Sequence, residues 1–204
     1  MKVLDLTAPG GGGAAGKIAT VVQAKSLRTA GTMTFDAATT IGNMILVVWT
    51  GGNGPTAAPA GTNALFNYVS VGGEIMGAFI KPADGTTMAT VCASGDNGQW
   101  AMYEIANYGG AIPFNVGIAG GVGARAICPA GPGGSVCLFA IHNDSGNDIT
   151  FVPGAGEVLD GNGSGGGNHK ALWGHTTDGL VHDLTFTSVD ATVYFGTIAI
   201  YPTG

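Results

Sequence analysis

Short apolar runs alternate with glycine-rich turns along most of the chain. Met44–Trp49, Leu65–Val71 and Val136–Ile141 are such runs, too short for helices and bounded by Gly-Gly or Asn-Gly pairs. Strands are predicted at Met33–Phe35, Met44–Trp49, Leu65–Val71, Glu74–Lys81, Thr87–Ala93 and Gln99–Tyr108. The second half adds Ala124–Ile127, Val136–His142, Ile149–Val152, Lys170–His175, His182–Thr187 and Thr192–Tyr201. Ahead of these, Val3–Leu6 reads as extended, Gly10–Gly16 as a hinge and Ile18–Gln23 as a strand or short helix. Asp84-Gly85 and Asp178-Gly179 read as tight turns. Within Trp100–Ile105, Glu104 implies that one strand face meets water or a partner. Its apolar neighbours predict a raised carboxyl pKa.

The pattern recurs. A shift of 94 residues brings Phe79 onto Trp173, Asp84-Gly85 onto Asp178-Gly179 and Trp100 onto Tyr194. The run at Met44 matches the run at Val136 at a shift of 92. Glycine-rich turns between short apolar segments, no amphipathic helix and this recurrence predict an all-β fold. The expected form is a jelly-roll-like antiparallel β-sandwich with a candidate two-fold internal repeat, its two four-stranded halves forming one sandwich.

Composition narrows the function classes. Glycine supplies 38 of 204 residues, about 19% against an average near 7%; the apolar runs between glycines argue against disorder. Net charge is −6, so nucleic acid is not expected as the main ligand, because phosphate binding needs clustered cations. No apolar run approaches the ~18 residues of a membrane helix, so no membrane insertion is expected. The opening residues do not read as a signal peptide, which places synthesis in the cytoplasm and argues against an exported barrel. Cys92, Cys128 and Cys137 are odd in number and lack CxxC spacing, so they read as buried thiols. Charge is uneven: residues 1–28 net +3 and residues 29–204 net −9. This divides the chain into a basic arm, 1–28, and one sandwich domain, 29–204. Lys2, Lys17, Lys25 and Arg28, with apolar Val3, Leu4, Leu6, Ile18, Val21 and Val22, are the expected partner-binding residues of the arm.

Sites of chemistry are sparse. Gly11, Gly16 and Lys17 mimic a phosphate loop, but Ile18 stands where Ser or Thr would hold magnesium. Gly11, Gly13 and Gly16 also fit GxGxxG, with Asp36 downstream, yet no helix or βαβ unit follows. No cofactor is expected. Asp160, Asn162 and Ser164 copy the opening of a calcium loop, a weak candidate because Ala171 occupies the position of the bidentate Glu. His169, His175 and His182 share no helical face, and no metal is assigned to them. A nucleophile elbow is absent, and the chain is not expected to be an enzyme.

The order of Gly42-Asn43 before Met44–Trp49, then Trp100–Ile105, Ser135–Ile141 and Val193–Ile200 resembles the β-sandwich modules of tailed-bacteriophage virions. Such modules occur in head-decoration, minor tail and tail-fibre proteins, and the resemblance covers about residues 40–201. It implies a non-enzymatic virion structural protein: a capsid-decorating, cement or appendage module that stabilises the particle or presents a surface. The alternative is a tail-associated receptor- or carbohydrate-binding adhesion module. Implied partners are its own copies as a homo-oligomer, a trimer favoured, a capsid or tail protein, and a host-surface glycan. The implied location is the virion, after synthesis in the host cytoplasm.

Overall fold

The apolar run at Met44 becomes a strand buried on both faces, because sheets cover it on either side. The structure is a computed structural model and describes residues 17–27, 31–51, 57–69, 75–92, 99–119, 124–128, 135–143, 147–162, 170–188 and 193–204. Among the described residues every regular element is a strand. The first half holds β1 (Thr20–Leu27), β2 (Gly31–Thr34), β3 (Met44–Gly51), β4 (Asn63–Val69), β5 (Ile75–Pro82), β6 (Ala89–Cys92) and β7 (Gln99–Ala106). The second holds β8 (Tyr108–Ala119), β9 (Ala124–Cys128), β10 (Val136–Asn143), β11 (Ile149–Phe151), β12 (Glu157–Asn162), β13 (Lys170–Thr176), β14 (His182–Ser188) and β15 (Val193–Pro202).

Pairing in the first half is nested. Val21 of β1 faces Ile105 of β7, Gly31 of β2 faces Cys92 of β6, and Met44 of β3 faces Pro82 of β5. The chain from β1 to β3 therefore runs antiparallel to the chain from β5 to β7, as one long hairpin wound over two sheets. That is jelly-roll winding. The second half repeats it: Ala111 faces Ile200, Cys128 faces His182 and Leu138 faces His175. The large sheets read β1-β7-β3-β5-β4 and β8-β15-β10-β13-β12, the same order in corresponding strands. The small sheets are β2-β6 and β9-β14-β11.

The large sheets have five strands rather than the four expected, and each half adds its own small sheet. The two five-stranded sheets face each other across a central core. Leu46, Val48, Ala101, Tyr103 and Ile105 meet Val136, Leu138, Trp173, Ile198 and Ile200 there. The opposite faces pack under the small sheets: Met33, Phe35, Ile45, Val47, Trp49 and Trp100 in one half, and Cys128, Phe139, Ile141, Phe151, Leu184 and Phe186 in the other. Three cores need both strand faces apolar, which explains the continuous runs in β3 and β10. Trp49 and Trp100 lie 4.9 Å apart, ring to ring; truncating either costs about 3–5 kcal/mol. The gap-free shift of 94 does not preserve faces. Phe79 belongs to an outer core and Trp173 to the central one, so Ala78 and Tyr103 are the residues placed like Trp173 and Ile198.

Two strands escape the apolar pattern. β8 contains Gly109, Gly110, Pro113 and Gly117, yet it is an edge strand, where proline is tolerated, and its register shifts beside Pro113. A Cβ at Gly109 would strike the Pro202 carbonyl, so glycine is required for this approach. β12 takes in Asp160 and Asn162, the opening of the expected calcium loop. The arm boundary also shifts: Thr20–Leu27 is the edge strand β1, so residues 20–27 belong to the sandwich. Both Asp-Gly turns form, with Gly85 at φ +83° and Gly179 at +70°, and Asp84 and Asp178 each accept a backbone amide two residues on.

Candidate interaction edge

β1 and β12 are the outer strands on one side of the two five-stranded sheets. They touch where Ser26 lies over Gly161, since a Cβ at Gly161 would run into the Ser26 hydroxyl. Each carries a bulge, at Val22 in β1 and at Asp160 in β12. Bulges re-aim side chains at sheet edges. Val22 is turned outward and stays 50% exposed, and Ile18, ahead of β1, is 54% exposed. Leu159 next to the second bulge is 36% exposed.

The Asp160 bulge points inward. Its carboxylate lies 2.7 Å from His175 Nδ1, both side chains mostly buried. His175 lines a pocket of about 50 Å³ at the seam, with Ala19, Thr20, Val21, Val136, Thr176 and Thr177. Behind it Tyr103 is fully buried, and burial, then the charge of Asp160, pushes its phenol well above the ordinary value. The arrangement orients an imidazole beside three threonine hydroxyls, each already in a hydrogen bond. Thr20 Oγ1 donates to the Ile18 carbonyl, Thr176 Oγ1 accepts from the Cys137 amide, and Thr177 Oγ1 donates to the Gly156 carbonyl.

A second histidine opens β14, the next strand along the chain, in the three-stranded sheet. His182 Nε2 is 2.7 Å from Asp178 Oδ1 and Nδ1 is 3.1 Å from Glu157 Oε1. The two carboxylates lie on opposite ring nitrogens and do not converge on one point. Among the described residues no group of three His, Cys, Asp or Glu could hold a metal ion. Asp160 and Asn162 form strand rather than loop, and Ser164 lies outside the described residues, as does His169.

The partner-binding residues expected from sequence separate into two sets. Lys17 and Ile18 are exposed, Val21 packs against the central core, Val22 is exposed, and Lys25 pairs with Asp36 at 2.7 Å. Lys2, Val3, Leu4, Leu6 and Arg28 lie outside the described residues. The Lys25–Asp36 pair is exposed on one side and contributes under about 1 kcal/mol.

Glu104 departs from expectation. It is fully buried and accepts from Gln23 Nε2 at 2.6 Å, the Thr40 amide at 2.7 Å and Asn43 Nδ2 at 2.7 Å. Burial pushes its carboxyl up, but these hydrogen bonds together outweigh burial and hold it below the ordinary value. It therefore ties the 36–43 connection to β1 rather than facing water or a partner. Gln23 and Asn43 carried no sequence signal for this role, because their partner is distant in the chain. Glu157 and Asp178 were equally silent, apart from the Asp178–His182 spacing.

No protein-family model, curated protein or solved structure matches this chain significantly.

Proposed function

We propose that this chain is a non-enzymatic structural subunit of a tailed-bacteriophage virion, a decoration or appendage module that docks through its β1–β12 edge and N-terminal residues. The observation that carries the reading is the jelly-roll winding of both halves, an architecture used for viral capsid and lectin domains. The support is at the level of fold, strengthened by the edge. Ile18 just before β1, Val22 on it and Leu159 on β12 leave apolar surface at two outer strands of the described sheets, which suits attachment to another chain. The glycan-binding alternative is less favoured. Trp49, Trp100 and Trp173 are all buried, so none offers the exposed ring on which a sugar would stack. Partners under this reading are further copies of the chain, with a trimer favoured, and a capsid or tail protein.

The deciding experiment is immunogold labelling of the parent particle, with light scattering on the purified chain. Regular labelling of head or tail and an oligomer at micromolar concentration are expected. A chain found only in the soluble lysate, absent from purified particles, would sink the reading.

A further inference from the structure

His182 is wedged between two carboxylates that arrive from different segments. Glu157 opens β12, after the connection from β11, and Asp178 sits in the turn between β13 and β14. Both ring nitrogens lie within hydrogen-bond distance of a carboxylate oxygen, Nδ1 at 3.1 Å and Nε2 at 2.7 Å. The His182, Glu157 and Asp178 side chains are 8%, 11% and 34% exposed. The backbone closes in as well. Gly156 has φ +77°, and a Cβ there would collide with the Asp178 carboxylate and sit 3.0 Å from His182 Cε1. Its carbonyl accepts the Thr177 amide at 2.8 Å.

Only imidazolium has two N–H donors; neutral imidazole has one donor and one lone pair. We propose that His182 is a proton-operated latch that joins the β11–β12 connection to the β13–β14 turn, closed when the ring is doubly protonated and loosened when it is neutral. In the neutral ring one nitrogen lone pair must face a carboxylate, so one of the two contacts is lost. The segments it joins carry Val152, Leu180 and Val181, which are 80%, 62% and 63% exposed. Loss of the latch therefore frees an apolar part of the surface to rearrange.

The surroundings set the direction. Burial lowers the His182 pKa, and the hydrogen bonds its ring donates to Asp178 and Glu157, with their charges, raise it more, leaving it above 6.5. On the strand side His182 is opposite Cys128 of β9, a buried thiol whose own pKa is pushed up. Asp183 beside it is exposed on the opposite face. His175 and Asp160, on neighbouring β13 and β12, are occupied with each other. A raised histidine pKa gives stability that is complete below 6.5 and fades as pH rises through the folded value. Asp178 is held below 3.8 by its hydrogen bonds from His182 and Leu180, so the latch also opens in strong acid. It is closed between those limits.

The test uses the full chain, with NMR titration of the His182 Cε1 proton and amide hydrogen exchange across 152–157 and 177–181. In the wild type His182 should titrate above 6.5. Exchange protection in both segments, corrected for intrinsic rates, should fall about tenfold for each pH unit of pKa elevation. His182→Gln should show low protection at every pH in these segments and unchanged protection in β3 and β10. Asp178→Asn, which keeps the shape, should lower the His182 pKa and shift the protection profile to lower pH. A His182 pKa at or below 6.5, protection independent of pH, or pH dependence that survives in His182→Gln would each overturn the proposal.

Discussion

The side-chain amide of Asn107 donates to the carbonyl of Ile18 at 2.9 Å, joining the crossover between the two halves to the residue that leads into β1. Among the described residues Asn107 is the non-glycine residue with positive φ, +56°, and its own carbonyl accepts the Thr203 amide at 2.8 Å. One residue thus gathers the start of β1, the β7–β8 turn and the end of β15. Asparagine tolerates this conformation, whereas a side chain without a local hydrogen bond pays about 1–2 kcal/mol. Asn107→Ala should cost about 1–3 kcal/mol in urea denaturation, and Asn107→Gly less, because glycine loses the bond but not the backbone fit. Equal losses for the two would show that φ is not the cause.

Glu104 should control acid stability. Its carboxyl is held below 4.5 in the folded chain, so its contribution is present above 4.5 and is lost as pH falls through the folded pKa. Glu104→Gln should lose about 1.5–3 kcal/mol near pH 7, the range for hydrogen bonds to a charged group. The gap between wild type and variant should shrink in strong acid. Urea titrations at neutral and acid pH check this; a gap that widens in acid contradicts the assignment.

The cysteines should be silent in the native state. Burial pushes the Cys92 thiol up to about 12, partly offset by Lys81. The Cys137 thiol, then burial, raises Cys128 further, and all three residues are buried. Thiolate is the reacting form, so iodoacetamide at pH 8 should label none in the folded chain and all three in urea. Rapid labelling of Cys92 without denaturant would contradict the burial.

The boundary of the N-terminal segment has a direct consequence. Removing residues 1–16 leaves β1 whole, and the truncated chain should stay folded and unfold in one cooperative urea transition. Removing residues 1–27 unpairs β7 and strips Val21 and Ala24 from the central core. Burial of a large apolar side chain is worth about 1.5–3 kcal/mol, so this deletion should lose several kcal/mol and its cooperative transition. Under the proposed function the shorter deletion should also weaken attachment to the particle. Equal stability of both truncations would return β1 to the arm.

Many of the strands were legible because both faces of the large sheets are covered, so β3 and β10 appear as unbroken apolar runs. The Asp-Gly turns were legible because Asp side-chain capping and positive φ are local properties. β8 and β12 were not: their glycines, proline and carboxylates look like loop until an edge position and a bulge absorb them. The Glu104, His175 and His182 sites were also hidden, since Gln23, Asn43, Asp160 and Glu157 reach them only through strand pairing.

The chain by itself determined that it would form short strands joined by glycine turns, with enough apolar residues for large cores and few charges to solvate. Hydrophobic periodicity and turn chemistry depend on neighbours a few residues apart, and those are written in order along the sequence. Which face of each strand met which core was settled by pairing between distant segments. A single-residue change of register exchanges the two faces of a strand, which is why the shift of 94 matched elements but not environments. The same long-range pairing placed Asp160 on His175 and set two carboxylates around His182.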